Sequence, residues 1–140
     1  IDFTNIPSWV KRITVMFNSV SLSATSPFLI QLGTSGGVET TNYNGGGTRF
    51  AVTSTASATY TAGFSYHNNV SATLFSGICI IANLTGNTWT AQGNLGGSAT
   101  MFNCILGGSK ALSGTLDRIR ITTVNGTDTF TAGSINIMYE

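Results

Sequence analysis

At 140 residues, 41% of them hydrophobic, the chain is long enough for one domain that buries roughly two-thirds of its unfolded surface. Charged residues make up only 8%, against a usual ~25%, so Thr, Ser, Asn and Gly must supply the polar surface, which suits strands and turns and excludes a fold of long helices. A net charge of +1, with six Lys and Arg in no dense run, excludes the cationic stripe that a nucleic acid requires, and 10% aromatics exclude a disordered chain.

The opening, Ile1-Asp2-Phe3-Thr4, has no positive region leading into an apolar stretch, so no signal peptide is expected. Without an initiating Met the chain is expected to be a piece of a longer one. Residues 11–17 alternate, with Ile13, Val15 and Phe17 on one face and Arg12, Thr14 and Met16 on the other, which predicts a strand. Residues 28–32 form a second predicted strand, ended by a turn at 33–37. Residues 38–43 form a third, and Asn44-Gly45-Gly46-Gly47 is expected to be a flexible loop.

Further strands are predicted at 49–53, 58–66, 72–83 and 88–92, with a glycine-rich break at 95–98 before a strand at 100–106. The longest apolar run, 78–82, is far short of a membrane span, so no membrane insertion is expected. Cys79 and Cys104 each sit in an apolar stretch and are expected to be free buried thiols. The closing segment, 116–140, reads as a strand, a type I′ hairpin turn at Asn125-Gly126, a short strand, a turn at Ala132-Gly133 and a final strand. Short strands with turn signals about every eight to twelve residues predict an all-β sandwich or barrel.

Two strands echo each other. Ile13-Thr14-Val15-Met16-Phe17 and Ile135-Asn136-Ile137-Met138-Tyr139 share the order aliphatic, polar, aliphatic, Met, aromatic. They are expected to lie in one sheet, with Met16 and Met138 on second faces that pack against a neighbouring copy, because Met fills irregular gaps.

Catalytic readings fare badly. His67 is the single histidine, and a Ser-His-Asp arrangement needs it beside a nucleophile and an orienting acid. Among the five acids, Asp117 and Asp128 flank the Asn125-Gly126 turn as a conceivable glycosidase pair, but Asp117 is expected to pair with Arg118, Arg120 or a turn backbone. One His and two Cys match no zinc spacing. His67 on a three-fold axis would be the exception, and an exposed loop histidine is the expectation. No catalytic residue, metal or cofactor is therefore expected, and three glycosylation sequons are put down to composition.

Sugar binding is the live option, since pyranoses stack on aromatic faces and their hydroxyls bond to amides. The candidates near turns are Tyr43 with Asn44, then Tyr66 with His67, and Trp89.

The opening at 3–17, which contains Phe3-Thr4-Asn5-Ile6-Pro7-Ser8-Trp9-Val10, resembles the start of a carboxyl-terminal domain found in many tailed-phage tail-fibre and virion proteins. Residues 116–140 (LDRIRITTVNGTDTFTAGSINIMYE) resemble its end, and 28–43 and 107–110 are similar to its interior. Residues 44–97 match it least. Such fibre tips are typically β-rich homotrimers that recognise host-surface glycans or proteins. The resemblance implies a single domain over 1–140, an antiparallel β-sandwich of jelly-roll type at the tip of a longer fibre protein. It also implies a homotrimer on the virion that attaches to the bacterial surface and has no enzymatic activity. The rival expectations are a structural or trimerisation module without a ligand and, further off, a capsule-degrading enzyme domain.

Overall fold

The computed structural model describes residues 1–98 and 102–140. Among these residues there is no helix, and twelve strands form two antiparallel sheets. The larger has seven strands in the order β12 (Phe130–Tyr139), β2 (Arg12–Leu22), β8 (Phe75–Thr85), β9 (Thr88–Gly97), β10 (Phe102–Ala111), β5 (Tyr43–Ala51), β6 (Ser54–Tyr60). The smaller runs β1 (Asp2–Phe3), β11 (Arg118–Thr123), β3 (Phe28–Thr34), β4 (Gly37–Val38), with β7 (Phe64–Ser65) also paired to β3. The pairings nest: β2 with β12, β3 with β11, β5 with β10.

The core draws on both sheets. Alternation in β2 sends Ile13, Val15 and Phe17 inward, opposite Ile30, Leu32, Ile119 and Ile121 of the smaller sheet, and all join one buried cluster. At its centre Phe28 lies edge-on to Phe75 (5.7 Å, 86°) and stacked on Phe130 (6.1 Å, 6°), both favourable aromatic geometries. β3 is buried on both faces because residues 61–63 cover its far side, where Gln31 Nε2 donates to the Ala62 carbonyl at 2.9 Å. The first and last strands of the echo are neighbours: Val15 faces Ile137, Met16 faces Asn136, and Thr14 faces Met138.

Four local readings change. Gly45, Gly46 and Gly47 are no loop; they lie inside β5, paired to β10 on one side and β6 on the other. The reason is close approach rather than freedom: a Cβ on Gly47 would collide with the Ser65 carbonyl and the Tyr66 backbone, which cross directly over it. The third predicted strand shrinks to β4, with 39–42 as the connection, and the 95–98 break falls largely within β9. The 58–66 strand splits at a bend over 61–63, and the predicted start at Thr100 lies outside the described residues.

The closing segment changes most. Asn125-Gly126 is not a type I′ hairpin, because only Gly126 has a positive φ (70°) whereas that turn needs two. It is a corner that carries the chain from β11 in one sheet to β12 in the other. Asn125 Oδ1 accepts from the Thr127 and Asp128 amides at 3.1 Å, and Asp128 Oδ2 accepts from the Ser26 amide at 2.9 Å. Ala132-Gly133 is likewise no turn but a bulge in a continuous β12, opposite a matching irregularity at Ser19 (φ 53°) in β2.

Candidate binding surfaces

The aromatic residues that the sequence suggested for sugar stacking are core residues. Tyr43 opens β5 and is 3% exposed, its hydroxyl accepting from the Leu32 amide at 2.7 Å and donating to the Glu39 carbonyl at 3.0 Å. Its ring meets Phe64 edge-on at 5.1 Å, and burial drives its phenol far above the usual range. Tyr66 is fully buried and donates to the Ile78 carbonyl at 2.9 Å, while Trp89 points inward from β9 at 4% exposure. None of the three presents a ring face to a ligand. Asn44 and the three glycines after Tyr43 are strand rather than loop, and alternation in β5 and β9 turns Tyr43 and Trp89 into the core, while Tyr66 lies just past β7.

The two polar candidates separate. Asn44 is exposed, opposite Ser109 in the β5–β10 ladder. His67 is half-buried with φ 55°, its Nδ1 hydrogen-bonded to the Tyr60 hydroxyl. Burial, helped by the Arg49 charge, holds its pKa below the ordinary value. The five residues therefore form no common site.

Other suggestions resolve structurally. Cys79 and Cys104 are free and buried, their thiols pushed up to about 12 and about 11 by burial. Asp117 pairs with Arg118 at 2.8 Å, and Asp128 braces the corner described above. Gly33-Thr34-Ser35-Gly36-Gly37, which was not among the sequence expectations, has the Gly-x-Ser-x-Gly spacing of a nucleophile elbow, yet it forms the β3–β4 hairpin rather than a strand-to-helix turn. Among the described residues no group of three or more His, Cys, Asp or Glu is placed to hold a metal ion.

The outer face of the seven-stranded sheet carries two rows of residues without a charge. Register aligns one row as Asn136, Met16, Ile78, Asn94, Ile105 and Thr48 across six strands. The next row reads Met138, Thr14, Ile80, Gln92, Gly107 and Gly46. Neither row contains a charge. Met138 is 53% exposed, Ile78 44% and Ile105 41%. A shallow groove of about 390 Å³ runs between Ile78 and Ile80 on one side and Ile105 on the other, with Gln92 and Asn94 in its floor. Met16 and Met138 were expected on an outward face, whereas the outward Ile78, Ile80 and Ile105 were not singled out, since an apolar stretch does not tell which of its residues face out.

A second surface escaped the sequence reading. Trp9 stands 62% exposed in a tight turn whose Val10 amide donates to the Pro7 carbonyl at 3.1 Å. Its ring meets Tyr139 at 5.9 Å and 60°. The available signal was a tryptophan between Pro-Ser and Lys-Arg, just outside the alternating strand.

No family model matches the chain, and neither a curated protein nor a solved structure does.

Proposed function

We propose that this chain is the receptor-binding tip domain of a bacteriophage tail fibre, a homotrimer that attaches the virion to its bacterial host by recognising a surface glycan. In this reading the two sheets form a β-sandwich of jelly-roll type. The nested pairing of β2–β12, β3–β11 and β5–β10 supports it, since a jelly roll is a strand ribbon folded on itself. The β8–β9 pair between β2 and β10 is the departure from the simplest pattern.

The observation that carries the proposal is the pair of uncharged rows across the outer face of the large sheet, with Met16, Met138, Ile78 and Ile105 on them. Exposed Met and Ile side chains set among uncharged polar residues suit an interaction surface, and three copies around an axis would cover them. Methionine suits such a contact because its side chain adapts to irregular gaps. Trimerisation would also serve adhesion, because three linked weak sites bind one cell surface far more tightly than one.

Light scattering on the purified domain, followed by binding of the labelled domain to host cells, tests this reading. A trimer that decorates the cells supports it. A trimer that leaves them bare makes the domain a structural cap, and release of reducing ends from capsule would make it an enzyme.

A further inference from the structure

We propose that the end of the molecule where Trp9 meets Tyr139 is a binding site for a hexuronate unit of a polysaccharide, with the sugar ring on the indole and its carboxylate at Lys11. That the partner is a glycan rests on the adhesion reading above; the location and the preference for an acidic sugar rest on the geometry.

The platform is exposed and held in place. This chain buries Trp89 to 4% exposure but leaves Trp9 at 62%, beside a 41% exposed Tyr139. Indoles carry a large apolar area, so one left in water is a candidate contact for a flat apolar ligand face, such as the C–H face of a pyranose. Backbone bonds fix both partners: the Val10 amide donates to the Pro7 carbonyl, and the Lys11 and Arg12 amides both donate to the Glu140 carbonyl at 2.9 and 2.8 Å. A site so anchored loses little entropy on binding.

A polar cleft adjoins the platform. Ser8 and Val10, on either side of Trp9, line it together with Lys11, Asn83, Asn87 and Thr115. Its volume is about 130 Å³, equivalent to about four water molecules. That space suits an exocyclic substituent rather than a second ring. Asn83 Nδ2 donates to the Gly86 and Thr88 carbonyls at 2.9 and 3.2 Å, which stiffens the wall formed by the β8–β9 turn.

Charge selects the substituent. Arg12 is engaged by Glu140 at 3.4 Å, whereas Lys11 has no carboxylate partner among the described residues. Lys11 thus brings to the cleft an ammonium outside any of these ion pairs, and an ammonium is a natural point contact for a carboxylate.

The test is tryptophan emission of the full chain titrated with glucuronate and galacturonate oligosaccharides and with their neutral glucose and galactose counterparts. Trp89, at 4% exposure, also lines the cleft, so quenching is read in Trp89→Phe, where Trp9 is the remaining indole. The uronates should shift the emission to the blue and protect it from quenching. Trp9→Ala should weaken uronate binding by about tenfold, read by calorimetry, with Trp9→Phe retaining most of it. Lys11→Gln should erase the preference for uronate over neutral sugar, and Phe50→Ala, at an exposed aromatic elsewhere, should change nothing. No response to any uronate, or equal binding by Trp9→Ala, overturns the site. Host-cell attachment that survives Trp9→Ala overturns this site and leaves the adhesion reading standing. Uronate binding by a domain that ignores host cells does the reverse.

Discussion

The Lys110 ammonium lies 2.6 Å from the Glu39 carboxylate, and its side chain is only 3% exposed. Lys110 also donates to the Thr41 carbonyl at 3.1 Å and sits 5.3 Å from the Tyr43 ring centre, while Glu39 Oε1 accepts from both the amide and the hydroxyl of Ser113. One ion pair thus ties the 39–42 connection to the end of β10. Glu39→Gln would leave the ammonium buried without its counter-charge, and we expect a loss of about 2 kcal/mol in urea unfolding. Glu39→Gln combined with Lys110→Met should recover more than half of that, because replacing both partners removes the stranded charge.

The same pair sets an acid limit. Burial opposes ionisation of Glu39, but hydrogen bonds from Lys110 and Ser113 outweigh it and hold the carboxyl below its ordinary 4.5. A depressed folded-state pKa contributes stability above 4.5 that is lost as pH falls through the folded value. Thermal melts of the wild type should therefore drop in that acid range, and Glu39→Gln should show a shallower slope. The Asp2–Arg120 pair, also depressed but largely solvent-exposed, adds a smaller part.

Gly47→Ala should destabilise the domain by about 1–3 kcal/mol, since its Cβ would meet the Ser65–Tyr66 backbone. Gly107→Ala, whose nearest neighbour would be the Ala91 carbonyl at 3.9 Å, should be close to neutral. A flexible loop at 45–47 would give the opposite result, because alanine there would restrict the unfolded chain and stabilise slightly. Chemical denaturation of the two variants decides between them.

This contrast marks where sequence was readable. Strand alternation at 11–17 and its echo at 135–139 follow from local chemistry, and the two strands do pair. Glycine runs were misread because composition records flexibility but not which backbone crosses above. Tyr43 was misplaced for the same reason, since its face follows once 45–47 is strand paired to distant β10, whereas Trp89 lay in a predicted strand whose buried face depends on its place between β8 and β10. The Asn125-Gly126 corner and the Gly133 bulge were misread because a positive-φ glycine serves hairpins, bulges and corners alike. Only the partner strands tell them apart.

Both cysteines should resist iodoacetamide at pH 8 in the native protein, because burial raises the thiols to about 12 and about 11 and excludes the reagent. In denaturant without reductant both should be carbamidomethylated, as mass spectrometry reads directly. Native labelling would contradict their burial, and a missing pair of labels in denaturant would reveal a disulfide.

Met16→Lys with Met138→Lys puts two charges on the proposed subunit contact while leaving the core face of both strands unchanged. Sedimentation should shift from trimer to monomer, with the fold retained by circular dichroism. A wild type that sediments as a monomer at micromolar concentration removes the trimer from the proposal.

Phage adsorption in the presence of the purified domain tests the central claim most directly. If this chain is the receptor-binding tip, saturating domain should occupy the host receptors and slow adsorption of the parent phage, while the Met16→Lys/Met138→Lys monomer should compete far less well. Adsorption at an unchanged rate, with a folded trimer present in excess, would contradict the adhesin account.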